Sequence, residues 1–176
     1  MTLFETPRFI VRPLADADFP NIFRLMSDPE TMRYIRMPIT EEEDLRSRFA
    51  LWKTYTEKCP GLGVFVADLK DTGAFIGYCV ARHVEFDPNG QEFEIGYTFA
   101  PEAWGNGYAS ELVPPLCQYC FEITSTNRIV AFTNPENAAS QRVLQKSGFL
   151  LLGTREVYDS TTNEFWVERS AVMRLP

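Results

Sequence analysis

Apolar positions in the first third of the chain follow helical spacing after a short strand at residues 8–14. One set recurs at i, i+3, i+4 and i+7, which predicts an amphipathic helix built on Phe19, Ile22, Phe23 and Met26. A short helical turn is expected within residues 27–35. A second helix is predicted to start at the capping-box pair Thr40 and Glu43 and to end at residues 59–61.

The rest of the chain alternates between strand and helix patterns. The predicted elements are two strands within residues 63–86, a strand at 91–99, a helix at 109–124, a strand at 128–133, a helix at 137–147 and strands at 149–158 and 164–174. Pro114 and Pro115 fall inside one of these helices, where we expect a kink. Because hairpins are joined to strand–helix–strand crossovers, the order predicts a single α/β domain over residues 1–176 with a mixed sheet of about seven strands.

Composition limits the class of partner. The 24 acidic and 17 basic residues give a net charge of −7, which disfavours nucleic acid and is compatible with a cationic partner such as an amine. The sequence has no run of about 18 apolar residues and no basic segment followed by an apolar one at its start. We therefore expect a cytoplasmic protein without membrane association.

Four cysteines are present, and Cys117 and Cys120 form a C-x-x-C pair inside a predicted helix. Such a pair is also found in zinc and redox sites. Since no second C-x-x-C or histidine pair stands at ligand spacing, we interpret these cysteines as buried structural thiols and expect no metal.

The segment PEAWGNGYASE, residues 101–111, places Gly105 and Gly107 between a predicted strand and a predicted helix. It lacks the Walker pattern, and Ser110 stands where the dinucleotide fingerprint needs a third glycine. A bare turn that leads into a helix directs several N–H groups and the positive end of the helix dipole toward one point, which suits a pyrophosphate. Two glycines required only for packing of the turn are the alternative interpretation.

Two motifs resemble those of a known family. The run W-G-N-G-Y-A that starts at Trp104 is similar to the [Q/R]-x-x-G-x-[G/A] signature of the GNAT superfamily of acetyl-CoA-dependent N-acetyltransferases. The tryptophan departs from that signature and matches the branch of ribosomal-protein N-terminal and spermidine acetyltransferases. Residues 134–149, NPENAASQRVLQKSGF, resemble the N-x-x-N-x-x-S…GF segment of the same branch. This resemblance covers nearly the whole chain and implies a GNAT-like sheet that splays between its fourth and fifth strands, with helices on both faces.

The resemblance implies acetyl-CoA as the co-substrate, bound in the gap between the splayed strands. The strand at Tyr97, Thr98 and Phe99 would bind the pantetheine arm through its backbone. The loop and first helical turn would hold the pyrophosphate through Trp104, Gly105, Asn106, Gly107, Tyr108, Ala109 and Ser110. Asn137 would reach the pantetheine, although an ordinary N-cap role can coexist with that one. Arg142 would approach the phosphate end, with a solvated charge on a helix as the alternative.

Acyl transfer to an amine needs a base for the amine and a proton for the departing thiolate. Strand alternation sets Glu92 and Glu94 opposite an apolar face, and we choose Glu94 as the first candidate base and Glu92 as the second. A solvated strand carboxylate is the alternative for Glu94. The single histidine, His83, is a rival base.

The proton donor that many members of the family use, a tyrosine in the last cofactor helix, is replaced by Leu144. Ser140, about one turn earlier, is the matching serine of the motif, and we take it as the candidate that hydrogen-bonds the thiolate or relays a proton to it through water. A small packing residue is the alternative.

These features predict an N-acetyltransferase that acts on a primary amine: a protein N-terminus, a polyamine or another small amine. The alternative is a non-catalytic acyl-CoA-binding module of the same fold, and a general nucleotide- or phosphate-binding domain ranks last. Acceptor specificity is expected from residues 16–58 and from the final hairpin. The sequence leaves the oligomeric state open, with a homodimer among the alternatives.

Overall fold

The computed structural model describes residues 1–172, and residues 173–176 lie outside the described part. The helices are α1 (Phe19–Ser27), α2 (Pro29–Met32), α3 (Glu42–Lys58), α4 (Tyr108–Ile123), α5 (Ala138–Lys146) and α6 (Arg169–Val172). The strands are β1 (Phe4–Glu5), β2 (Phe9–Pro13), β3 (Gly63–Leu69), β4 (Phe75–His83), β5 (Phe93–Phe99), β6 (Arg128–Thr133), β7 (Leu150–Val157) and β8 (Ser160–Glu168). They follow the order β1-β2-β3-β4-β5-β6-β8-β7 in one sheet.

The sheet mixes antiparallel and parallel pairs, which confirms the predicted α/β class. β2 pairs antiparallel with β1 and β3, and β8 pairs antiparallel with β6 and β7. β5 and β6 are parallel and are connected through α4, as expected for a strand–helix–strand crossover. The sheet has eight strands. The additional one, β1, is two residues long and pairs Phe4 with Val11.

The chain divides into two compact units, and the first consists of Met1–Val80 and Tyr97–Asn106. Its core contains apolar side chains of β2, β3, α1 and α3, namely Phe9, Val11, Ile22, Leu25, Met26, Leu45 and Val66. Ile22 and Met26 belong to the apolar stripe read from the sequence, so their burial confirms that face of α1.

The start of α3 differs from the predicted capping box. Glu41 is the N-cap residue and no side chain caps the helix, so the assignment of Thr40 and Glu43 as a capping pair is wrong. The first turn instead carries three carboxylates, Glu42, Glu43 and Asp44, which interact favourably with the positive end of the helix dipole.

The second unit consists of Ala81–Gly96 and the residues from Gly107 onward. Its core is formed by α4, β6 and β8 with the residue before β7, through Leu112, Leu116, Phe121, Ile129, Phe149 and Phe165. α4 continues through Pro114 and Pro115 without a break in the helix assignment. The proposed extent of one independently folding domain over residues 1–176 stays a prediction.

The second strand of the last hairpin, β8, begins earlier than predicted. β8 starts at Ser160, because Tyr158 and Asp159 form a two-residue turn with φ of +55° and +56°. Positive φ at both positions is characteristic of the type I′ hairpin, whose usual sequence is Asn-Gly or Asp-Gly. The pair Tyr-Asp does not carry that signature, so no signal in the sequence marks the turn. The predicted strand start at residue 164 is wrong.

The end of β8 also differs, since the strand stops at Glu168 and α6 follows. Arg169, the first residue of α6, donates hydrogen bonds to the carbonyls of Thr124 and Thr126, at 3.0 and 2.7 Å. Residues 173 and 174 of the predicted strand lie outside the described residues.

The parallel pairing between β5 and β6 is short. It covers Phe93 with Ile129 and Glu94 with Val130, and then stops. β6 nevertheless continues to Thr133, paired there with Asn163 of β8. The strands that the family resemblance designates as fourth and fifth are therefore the ones whose pairing ends early.

Candidate functional site

The loop before α4 has the backbone conformation that its two glycines allow. Gly105 and Gly107 have φ of +74° and +78°, the left-handed region that other residues rarely adopt. Gly107 is the N-cap of α4, and the first helical hydrogen bond runs from Glu111 N to Gly107 O at 3.1 Å. The amides of residues 108–110 precede that bond, so this helix start has the geometry of an anion site.

Two side chains of the first unit build the preceding turn. Trp104 Nε1 donates to Phe99 O at 2.7 Å, which ties the loop to the end of β5. Asn106 Nδ2 donates to the carbonyls of Ala103 and Trp104 at 3.2 and 3.1 Å. Trp104 thus has a structural reason to replace the usual residue of the signature, and Asn106 shapes the turn through its side chain.

Gly107→Val is expected to weaken acetyl-CoA binding at least tenfold, about 1.4 kcal/mol. A β-branched residue disfavours φ near +78° and crowds the backbone that would face the pyrophosphate. Calorimetric titration measures the dissociation constant. Gly73→Val is the matched control, because Gly73 has φ of +68° and open space around its Cβ position but lies in the β3–β4 turn. Equal affinity in the two variants would remove the loop from the binding site.

The second motif forms the start of α5. Asn137 is the N-cap, and its side-chain oxygen accepts from Ser140 N at 3.1 Å. Ser140 is half-buried in the first turn, and Arg142 is exposed on the same helix. Leu144 is fully buried, so the position of the family's tyrosine has become part of the core. The N-cap role of Asn137 is thereby confirmed, while its contact with pantetheine stays a prediction.

The expected pantetheine strand lies at the end of β5, in the first unit. Thr98 and Phe99 are buried and Tyr97 is half-buried, with its ring 5.8 Å from that of Phe99. The carbonyl of Phe99 already accepts from Trp104, as described above. Ala100 N, one residue further, donates to Ile76 O at 2.9 Å.

Glu94 lies at the last residue of the β5–β6 pairing and is only 4% exposed. Arg82 Nε donates to its Oε1 at 2.6 Å, and the Tyr158 hydroxyl donates to the same oxygen. Tyr158 in turn accepts from Glu85 N at 2.7 Å and from Arg82 at 3.3 Å. Burial raises the pKa of Tyr158, and the nearby carboxylate adds to that, so this phenol keeps its proton.

This network also fixes an unusual turn after β4. Glu85 and Phe86 have φ of +57° and +56°, which is rare for residues with large side chains. The guanidinium of Arg82 lies 3.7 Å from the centre of the Phe86 ring. The described contacts place Glu94 inside an ion pair rather than on a solvated strand face.

The other two base candidates have different surroundings. Glu92 has a side chain 49% exposed and pairs with Arg155 at 2.8 Å. His83 is buried, its ring centre 4.4 Å from that of Phe93, and burial lowers its pKa although Asp87 opposes the shift. A neutral imidazole is therefore favoured at neutral pH.

Sequence reasoning missed two residues around Glu94 and one buried polar residue elsewhere, on β6. Arg82 and Tyr158 hold Glu94 from positions 12 residues before and 64 residues after it, so no local spacing reveals them. Thr133 ends β6 with a buried hydroxyl oxygen that has no hydrogen-bond partner among the described residues. For Thr133, the available signal was its place immediately before the motif that starts at Asn134.

Cys117 and Cys120 are buried in α4, as interpreted from the sequence. Burial raises the pKa of both thiols, that of Cys120 to about 12. Within residues 1–172, no group of three or more His, Cys, Asp or Glu side chains is arranged to hold a metal ion. The helices of the same residues are too short or too polar to cross a bilayer.

A mixed sheet whose parallel strands β5 and β6 separate early, connected by a helix with a glycine N-cap, defines an α/β domain with a candidate anion site. Residues 8–150 match the model of the acetyltransferase (GNAT) domain. The uncharacterized N-acetyltransferase YnaD of Bacillus subtilis is 30% identical over 165 residues, covering 93% of this chain and 91% of that protein. An acetyltransferase from Agrobacterium tumefaciens has a TM-score of 0.80 and 26% identity, with 94% of each chain covered.

A spermidine N-acetyltransferase from Vibrio cholerae, solved with CoA and spermine, has a TM-score of 0.78 at 19% identity and covers 94% of this chain and 98% of its own. The chain belongs to the GNAT acetyltransferase family. It is an N-acetyltransferase whose co-substrate is acetyl-CoA. A helix start that follows a left-handed glycine, as at Gly107, has the geometry that suits the phosphates of such a ligand.

Proposed function

We propose that this enzyme acetylates a primary amine by direct attack, with Glu94 as the carboxylate that receives the amine's proton. Bound acetyl-CoA supplies the activated acetyl group. The amine nitrogen forms a bond to the acetyl carbon and the bond from that carbon to sulfur breaks. Ser140 donates a hydrogen bond to the departing sulfur or relays a proton to it from water. A cytoplasmic location stays a prediction.

The position of Glu94 carries this proposal. Both partners of its carboxylate, Arg82 and Tyr158, bind Oε1. The described residues give Oε2 no hydrogen bond, and Oε2 is not one of the fully buried unpartnered atoms, which are Arg48 Nε and Thr133 Oγ1. One oxygen is thus fixed while the other is left for an ammonium or for a water that leads to it.

The acceptor is proposed to be cationic before it reacts. The net charge of −7 favours an approaching ammonium over an anion. A polyamine, a peptide N-terminus and other small amines all meet this description. Spermidine is the first amine to test, because the Vibrio cholerae neighbour is named for that substrate.

The test is a screen of acceptors in which release of free CoA from acetyl-CoA is measured at steady state. The panel contains spermidine, other small diamines, and short peptides with different first residues. Amine-dependent release by the wild-type protein is the expected result. Tight binding of acetyl-CoA without release for any amine would support the acyl-CoA-binding module instead.

Tyr158→Phe is expected to lower kcat about tenfold for the best amine of that screen, since a hydrogen bond to a charged group is worth about 1.5–3 kcal/mol. Phenylalanine keeps the ring beside Arg82 but removes the donor to Glu94. The same substitution in a Glu94→Gln background should cause no further loss, because the hydroxyl would act through Glu94. Steady-state kinetics on the four proteins of this cycle measures the coupling.

Tyr78→Phe is the control for loss of a phenol elsewhere, since Tyr78 is a buried residue of β4. It should leave kcat near the wild-type value. Additive effects of Tyr158→Phe and Glu94→Gln would contradict a positioning role and would assign Tyr158 to the stability of the turn at Glu85.

A further inference from the structure

Thr133 is a polar residue in an apolar place. It is 5% exposed, and its Oγ1 is fully buried with no hydrogen-bond partner among the described residues. Native structures leave few such atoms unpaired, because a buried hydroxyl without a partner loses its hydration and gains nothing in return. An unpartnered atom of this kind requires an explanation, such as a bound ligand or water.

The position of Thr133 in the fold separates it from Glu94. It is three residues beyond Val130, the last residue of β6 that pairs with β5. Side chains alternate along a strand, so Thr133 lies on the opposite face from Val130 and Phe132. Those two residues pack with Tyr158, on the side of Glu94. Thr133 therefore does not belong to the Glu94 face.

We propose that the Thr133 hydroxyl binds the pantetheine arm of acetyl-CoA and acquires its hydrogen-bond partner only when that ligand is present. The proposal rests on the acetyl-CoA-dependent function given above. A hydroxyl both donates and accepts, and the arm offers two amides and a thioester carbonyl. Neutral groups such as these suit a buried neutral hydroxyl better than a phosphate does, because burying a charge costs more.

The proposal predicts that one variant has a higher thermal stability but a lower affinity for CoA than the wild-type protein. Thr133→Val keeps the shape of the side chain and removes the unpartnered oxygen, so the melting temperature of the free protein should rise by about 2–4 °C. The same change should weaken CoA binding about fivefold to tenfold, because the arm loses its partner. Adenosine 3′,5′-bisphosphate, which shares the nucleotide end and lacks the arm, should bind as it does to the wild-type protein.

Thr162→Val is the matched control. Thr162 is also buried, but its hydroxyl donates to Arg155 O at 3.0 Å. Removal of a satisfied hydrogen bond should lower the melting temperature and leave CoA affinity unchanged. Thr133→Ser provides a second variant that keeps the hydroxyl, and it should retain CoA affinity within about twofold even where stability falls.

The measurements are calorimetric titrations and thermal melts, so none depends on turnover. Unchanged CoA affinity in Thr133→Val, with a lower melting temperature, would assign the hydroxyl to a buried water and overturn the inference. Equal losses for CoA and the bisphosphate would overturn it as well, since the effect would not belong to the arm. Failure of the wild-type protein to bind CoA would overturn both the inference and the proposed function.

Discussion

Glu94→Gln is expected to lower kcat about 100-fold while acetyl-CoA affinity stays close to the wild-type value. Glutamine has nearly the same shape but cannot take up the amine's proton, and loss of general acid–base assistance typically costs about 10²–10⁴-fold. The loop that we propose to bind acetyl-CoA lies elsewhere on the chain, at the start of α4, so binding of that ligand should not change. Single-turnover rates and calorimetric titration of the same preparation measure the two quantities.

Stability must be measured on that variant too, because Glu94 neutralises Arg82, whose side chain is 15% exposed. Breaking a buried ion pair from one side commonly costs about 3–5 kcal/mol. Glu92→Gln is the control on the same strand, since Glu92 is largely exposed and pairs with Arg155. It should leave both kcat and melting temperature near wild type. If the Glu94→Gln protein is folded and keeps full kcat, the base that takes up the amine's proton is Glu92, His83 or water.

Ser140→Ala is expected to lower kcat about 10- to 150-fold, with a smaller increase in the KM for acetyl-CoA. A hydrogen bond to sulfur strengthens as negative charge develops there, so its loss affects the reaction step more than ground-state binding. The upper range corresponds to about 3 kcal/mol for one hydrogen bond to a charged group. Leu144, buried in the core, is unable to supply that proton.

Ser147→Ala gives the matched control within the same part of the chain. Ser147 is the C-cap of α5, and its hydroxyl donates to Val143 O at 2.9 Å. Its replacement should reduce the melting temperature without a change in rate. If Ser140→Ala behaves in the same way, with a wild-type single-turnover rate, Ser140 is a packing residue and water protonates the sulfur.

The sequence predicted element bounds well where the contacts that set them lie within a few residues. The glycines and the tryptophan of the α4 loop, and the asparagine that caps α5, act on backbone groups within a few residues. For that reason the predicted bounds of β6 agree with the structure, and those of α4 and α5 differ by one residue at each end. The conformation of the loop proposed to bind acetyl-CoA is set locally in the same way, while its role in binding stays a prediction.

The surroundings of Glu94 could not be predicted in that way. Alternation along β5 suggests one apolar and one polar face, yet Glu94 and Thr98 are as buried as Ile95 and Phe99. A central strand is covered on both sides, so polarity of the sequence does not report exposure. The partner Tyr158 lies in a hairpin turn without the usual glycine, and only the folded chain brings it to the carboxylate.

The reactivity of the two buried thiols of α4 can be used to measure local opening of that helix. Thiolates are the species that react with alkylating agents, and the raised pKa values of Cys117 and Cys120 keep both residues protonated and inert while the helix is closed. Their labelling rate at neutral pH therefore counts the excursions in which α4 opens. In a Cys59→Ser background, which removes the half-buried cysteine, alkylation followed by mass spectrometry can measure whether acetyl-CoA suppresses the opening of α4, without an added probe.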